Sequence, residues 1–117
     1  AWSDCNGDIY SIFTRDELLT NISLYWFTGA IGSSFWPYYS RIHSPWPIPD
    51  DKKIKVPVGY CQFPKEILKP PFTLAENYFE NIVRWTVVDR GGHFAAMEQP
   101  LILAKEIQET FKLISNS

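Results

Sequence analysis

The residues of this sequence with the clearest chemical potential are His93, directly after Gly91-Gly92, and Glu66, 27 residues before it. An imidazole titrates near neutral pH, so it can accept and return a proton within one reaction cycle. A carboxylate on its far nitrogen fixes the ring's tautomer and steadies the imidazolium that forms. His93 follows a β-branched and aromatic run, Ile82 to Val88, and precedes a helical pattern. In parallel sheets, sites gather at the carboxyl ends of strands, so the position suits an acid–base group. Gly91 and Gly92 supply backbone freedom to bring the ring over the sheet edge. The competing assignment for His93 is a cap on the helix that follows. Glu66 lies just beyond the preceding strand-like stretch, also at a strand's carboxyl end. Its competing assignment is a solvated carboxylate in a helical first turn. Asp50, Asp51 and Asp89 are rival acids, the first two placed before that strand and the third at the end of the next.

The elements that must position these groups are marked by local signals. Thr14-Arg15-Asp16-Glu17 has the form of a capping box, with Phe13 and Leu18 placed as a hydrophobic staple. A helix is therefore predicted from there, with Leu18, Ile22, Tyr25 and Trp26 as a stripe packed into a core, and Gly29 to Ser34 as its stop or bend. Between Trp36 and Asp51, Pro37, Pro45, Pro47 and Pro49 predict an irregular connection. Lys53 to Gln62 alternates with a strand-like period of two, and Pro57 marks its irregular entry. A short helical turn over Pro64 to Leu68 and a short helix over Leu74 to Phe79 lead to the second strand, Ile82 to Val88, covered on both faces. Pro100 then opens a helix with Leu103, Ile107, Phe111 and Ile114 on one face. Strands separated by helical connections predict a parallel sheet, and two strands are too few to be a whole one.

Composition narrows the function classes. A formal charge of -2 and Lys and Arg scattered singly offer no patch to neutralise phosphates, so nucleic acid is not an expected partner. No apolar run reaches the roughly 18 residues that a membrane span needs, and a soluble, cytoplasmic chain is expected. Cys5 and Cys61 are expected to be free and inert, with no His or Cys neighbour at zinc-ligand spacing. Asn21-Ile22-Ser23 fits a glycosylation acceptor by chance, within a helical stretch. Opening on Ala1 rather than methionine fits a processed or fragmentary product. Five Trp, six Tyr and eight Phe suit either a large apolar pocket or a surface that buries against another segment.

Four segments taken in order are more specific: Thr20-Asn21-Ile22-Ser23-Leu24-Tyr25-Trp26, Val56-Pro57-Val58-Gly59, Phe63-Pro64-Lys65-Glu66-Ile67-Leu68, and Arg90-Gly91-Gly92-His93-Phe94-Ala95-Ala96-Met97-Glu98-Gln99-Pro100. Together they resemble the C-terminal portion of epoxide hydrolases of the microsomal-type and fungal branch, over nearly the whole chain. The resemblance implies an α/β fold, the C-terminal part of an α/β-hydrolase. Residues 1–52 would be the later half of the helical lid, and 53–117 the last two parallel strands and final helix. It implies that an aspartate opens the epoxide and forms an ester, which water activated by His93, backed by Glu66, then hydrolyses to a vicinal diol. Two lid tyrosines polarise the epoxide oxygen in that family, and Tyr38 matches one, with Tyr39 as the alternative. Glu98 and Pro100 are assigned to starting the last helix, and His43 to a surface loop. No metal or organic cofactor is implied.

The departure from the family pattern is that the nucleophile, the oxyanion hole and the second lid tyrosine are absent here. The expected partners are therefore a small-molecule epoxide and the N-terminal part of the same enzyme, or self-association. The alternative function is a non-catalytic hydrolase remnant that binds another chain through its exposed aromatic residues.

Overall fold

The structure, a computed structural model, describes residues 2–45, 47 and 52–116. It divides into two compact units, Phe13–Pro47 and a second formed by Ala1–Ile12 with Ile48–Ser117. The sequence placed one boundary near residue 52. The start of the chain instead groups with the strands, because its polar groups find partners on the loop that carries His93.

The Phe13–Pro47 unit begins with α1 (Arg15–Thr28), and the predicted capping box is complete. Glu17 N–H donates to Thr14 Oγ1 at 3.2 Å, and Thr14 N–H donates to Glu17 Oε2 at 2.8 Å. Gly29 ends the helix in the left-handed region, φ 66°, where a residue without a Cβ is favoured. Two further helices follow, α2 (Ile31–Ser34) and α3 (Trp36–His43). The irregular connection expected from Trp36 is thus helical at first. Pro37 falls in the first turn of α3, where its missing N–H costs no helical bond. Tyr39 stacks on His43 one turn on, with centroids 3.9 Å apart, and His43 is a helical residue rather than a loop one. Trp46, Pro49, Asp50 and Asp51 lie outside the described residues. No residue of α1 is buried, and Trp26 and Phe27 are 78% and 84% exposed. Of the stripe predicted as core, Ile22, Tyr25 and Trp26 are therefore exposed and Leu18 is half-buried.

The other unit opens with a 3-10 turn, Ile9–Ser11, and is built on two parallel strands, β1 (Val58–Gln62) and β2 (Ile82–Val87). Pro57 stands immediately before β1, as its missing donor requires. Between the strands lies α4 (Phe72–Ala75), which starts two residues earlier than the spacing predicts because Pro71 takes its N-cap. No helix forms over Pro64 to Leu68. Lys65 N–H instead donates to Gly91 O at 3.0 Å, and Lys65 pairs with Gly92 in a parallel bridge, so the ladder resumes beyond both strand ends. A turn of five residues has too few internal bonds to compete with that.

After β2 come α5 (Ala95–Glu98) and α6 (Pro100–Ser115), which packs against both strands. A Cβ on Gly59 would collide with the Thr110 side chain, so this glycine allows the close approach of α6. Arg84 holds Glu106 with Nε and Nη2 at 2.8 and 3.0 Å, a two-bond fork between β2 and α6. On the opposite face Tyr60 stacks on Trp85 at 4.1 Å, with Phe72 of α4 edge-on to Trp85. Coverage is incomplete: an open cleft of about 330 Å³ remains between β1 and α6, and Ile107 and Phe111 are exposed. Val87 is exposed too, so the second strand is not covered on both faces as predicted. Among the described residues no helix is long and apolar enough to cross a membrane, and no group of three or more His, Cys, Asp or Glu could hold a metal ion. Cys5 and Cys61 are free thiols.

Candidate active site

The resumed ladder beyond β1 and β2 brings the two chemical residues together. Glu66 follows Lys65 and His93 follows Gly92, the two residues of the parallel bridge, so both side chains arise side by side at the carboxyl end of the sheet. His93 Nδ1 and Glu66 Oε1 are 2.8 Å apart. Glu66 Oε1 also accepts from the N–H of Ile67 at 2.6 Å, which steers the carboxylate. Burial pushes the Glu66 carboxyl up, but hydrogen bonds from His93 and Ile67 outweigh it and hold the group below the ordinary glutamate range. With Nδ1 committed to the carboxylate, the ring's Nε2 is left to meet a proton-bearing partner. The imidazole is 38% exposed, flanked edge-on by Trp2 at 5.5 Å and Phe94 at 5.1 Å.

This pair has a pH signature. A depressed carboxyl pKa makes the ionised form the one that the fold favours. Its contribution is fully present above the ordinary glutamate pKa and is lost as pH falls through the depressed one. Glu106, held by Arg84, is shifted the same way. An NMR titration of the Glu66 carboxyl carbon should give a midpoint below that of an unperturbed glutamate, and Asn or Gln at position 93 should move it upward. A midpoint at or above the ordinary value contradicts the pairing.

The loop between β2 and α5 is held by the first residues of the chain. Gly91, at φ 98°, donates its N–H to Asp4 Oδ2 at 2.6 Å. His93 N–H donates to the carbonyl of Trp2 at 2.9 Å, and Asp4 N–H donates to Glu98 Oε1 at 2.6 Å. A Cβ on Gly92 would collide with Trp2 O, a backbone atom that has little room to move. Gly92→Ala is therefore expected to destabilise the unit by about 1–3 kcal/mol. Gly32→Ala, where a Cβ meets nothing within 4 Å, should change stability little. Thermal unfolding of the two variants, each in the chain joined to its complementary segment, compares them, and equal melting temperatures would contradict the close approach.

Of the other candidates that the sequence suggests, Tyr38 and Tyr39 are exposed residues of α3, in the Phe13–Pro47 unit. Among the rival acids, Asp89 is not the partner of His93 Nδ1, a place that Glu66 takes, and Asp50 and Asp51 lie outside the described residues. Glu98 does not cap the last helix: it accepts from Asp4, while Gln99 occupies the N-cap of α6 and Pro100 its first position, as expected. Sequence reasoning missed Trp2 and Asp4, and no local spacing could have revealed contacts that span 87 residues and more.

No family model matches the chain. Individual relatives do. A putative epoxide hydrolase of Stigmatella aurantiaca is 40% identical over 112 residues, which is 96% of this chain and 25% of the relative. Epoxide hydrolase 1 of Sus scrofa is 37% identical over 111 residues, covering 93% of this chain and 24% of the relative. Among solved structures, the crystal structure of juvenile hormone epoxide hydrolase from the silkworm Bombyx mori superposes with a TM-score of 0.69 at 29% identity, over 86% of this chain and 26% of that one. The chain is thus homologous, in sequence and in backbone, to epoxide hydrolases of the α/β-hydrolase fold over a stretch equal to about a quarter of their length.

Proposed function

We propose that this chain is the C-terminal portion of an epoxide hydrolase and supplies the half of the reaction in which water is activated. The observation that carries the reading is the 2.8 Å bond between His93 Nδ1 and Glu66 Oε1 at the carboxyl ends of adjacent parallel strands. A complementary segment brings an aspartate, whose carboxylate attacks an oxirane carbon. The carbon–oxygen bond breaks, and the ring oxygen leaves with the electron pair and takes a proton. Tyr38 is the donor assigned to that oxygen, with Tyr39 as its alternative, and the Phe13–Pro47 unit is the later part of the lid. His93 then removes a proton from water, the hydroxide attacks the ester carbonyl, and cleavage of the acyl–oxygen bond frees a vicinal diol. Glu66 holds the ring and stabilises the imidazolium.

A single turnover in ¹⁸O-labelled water tests this, using the chain joined to a complementary segment and a styrene-oxide-type substrate. The ester route puts the label in the nucleophile's carboxylate and leaves the first diol unlabelled. Label in the first diol means direct attack by water and sinks the proposal. Tyr38→Phe should slow ring opening on the order of tenfold or more by removing one donor to the alkoxide. Rapid-quench measurement of adduct formation reads this, and a parental rate in the Tyr38→Phe variant removes Tyr38 from the role.

A further inference from the structure

We infer that Asp4 is a positioning residue for His93, acting with the Trp2 carbonyl as a strap across the base loop. The inference rests on the proposed role of His93 as the water-activating base. Three bonds tie the segment down on both sides of the imidazole-bearing residue. Gly91 N–H donates to the Asp4 carboxylate, His93 N–H to Trp2 O, and Asp4 N–H to Glu98 Oε1. Each partner is local to the loop or to α5, so a shift of residues 2–4 is transmitted to His93 from before and after it.

The fit is close. Gly91 and Gly92 are buried, and Gly92 leaves no room for a Cβ against Trp2 O. Gly91 sits at a positive φ, and an unsupported glycine has many other conformations available. A charged acceptor on its N–H selects one of them. What the strap fixes is where the imidazole stands relative to Glu66 and to the water it must deprotonate. The ring-opening step uses the nucleophile and the lid donors, not this loop. Loss of the strap should therefore fall on ester hydrolysis.

The chain joined to a complementary segment with its nucleophile is compared with its Asp4→Ala, Asp4→Asn and His93→Gln variants, following adduct formation and decay by rapid-quench mass spectrometry. Asp4→Ala should slow ester decay on the order of tenfold to a hundredfold, with adduct formation near the parental rate. Asp4→Asn keeps an acceptor oxygen for Gly91 and should recover most of the loss. Parental decay in Asp4→Ala, equal slowing of both steps, or an Asn variant no better than Ala overturns the inference. If His93→Gln builds no adduct, the functional reading has failed, and the strap is then judged in the same joined chain without substrate. There Asp4→Ala should speed amide exchange at Gly91 and His93 about tenfold relative to Thr86, and unchanged protection overturns the strap itself.

Discussion

His93→Gln, in the chain joined to its complementary segment, is expected to stop turnover at a covalent ester. In the proposed mechanism the carboxylate that opens the epoxide needs no base, because it attacks as the anion. The ester it forms is hydrolysed only when water loses a proton, and the Gln amide cannot take one. General-base removal costs on the order of 10²–10⁴-fold. Adduct should therefore approach one per active site within the time of the first turnover and decay over many. Glu66→Gln should do the same less severely. Its amide can still meet Nδ1, but it does not stabilise the imidazolium and can present the wrong partner to the ring. Intact-mass spectrometry after mixing with excess epoxide reads both. Normal diol production by His93→Gln with no mass increment would remove His93 from the role of base, whatever its distance to Glu66.

The Glu66–His93 pairing was legible in the sequence through the family resemblance. The local signals placed each residue at a strand's carboxyl end but left a helix cap and a solvated carboxylate open as alternatives. Two β-branched stretches with intervening breakers predict parallel strands, and each residue follows one of them. The capping box of α1 was legible from local signals: Thr14 and Glu17 are three residues apart and need only each other. Where the reading of Pro64 to Leu68 failed, the competing bond lay far along the chain. Pro64 to Leu68 has the composition of a helical turn, yet the carbonyl of Gly91 captures the Lys65 N–H and draws the segment into the ladder. Pro37 suggested a break because proline is incompatible with a helix interior, but in the first turn of α3 it is well placed. Trp2 and Asp4 carried no signal, since a carboxylate near a terminus reads as solvated until its distant partner is known. Apolar pattern also overstated burial. It marks surfaces that want cover and does not say whether this chain supplies it.

Purified alone, the chain is expected neither to hydrolyse epoxides nor to behave as a well-packed monomer. Phe13, Phe63 and Ala75 are the buried apolar residues among those described, whereas Trp26, Phe27, Ile42 and Leu101 are each more than three-quarters exposed. So few buried side chains leave the chain short of the apolar burial that has to offset the entropy of ordering it. The shortfall is greatest in the Phe13–Pro47 unit, where α1 has no buried residue at all. In the strand unit, β1 and β2 form a two-stranded sheet among the described residues, and open strand edges are templates for further strands. Both deficits would be removed by the same event, docking of a segment that adds strands to the sheet and covers the apolar helices. In the proposed function that segment also brings the nucleophile, so folding and activity should be restored together. Size-exclusion chromatography with light scattering and a diol assay should show an associating or loosely packed, inactive chain. Adding the complementary segment should give a single species with a cooperative melt and turnover. A monodisperse, cooperatively unfolding monomer would defeat the packing argument, and turnover by the chain alone would place the nucleophile within these residues.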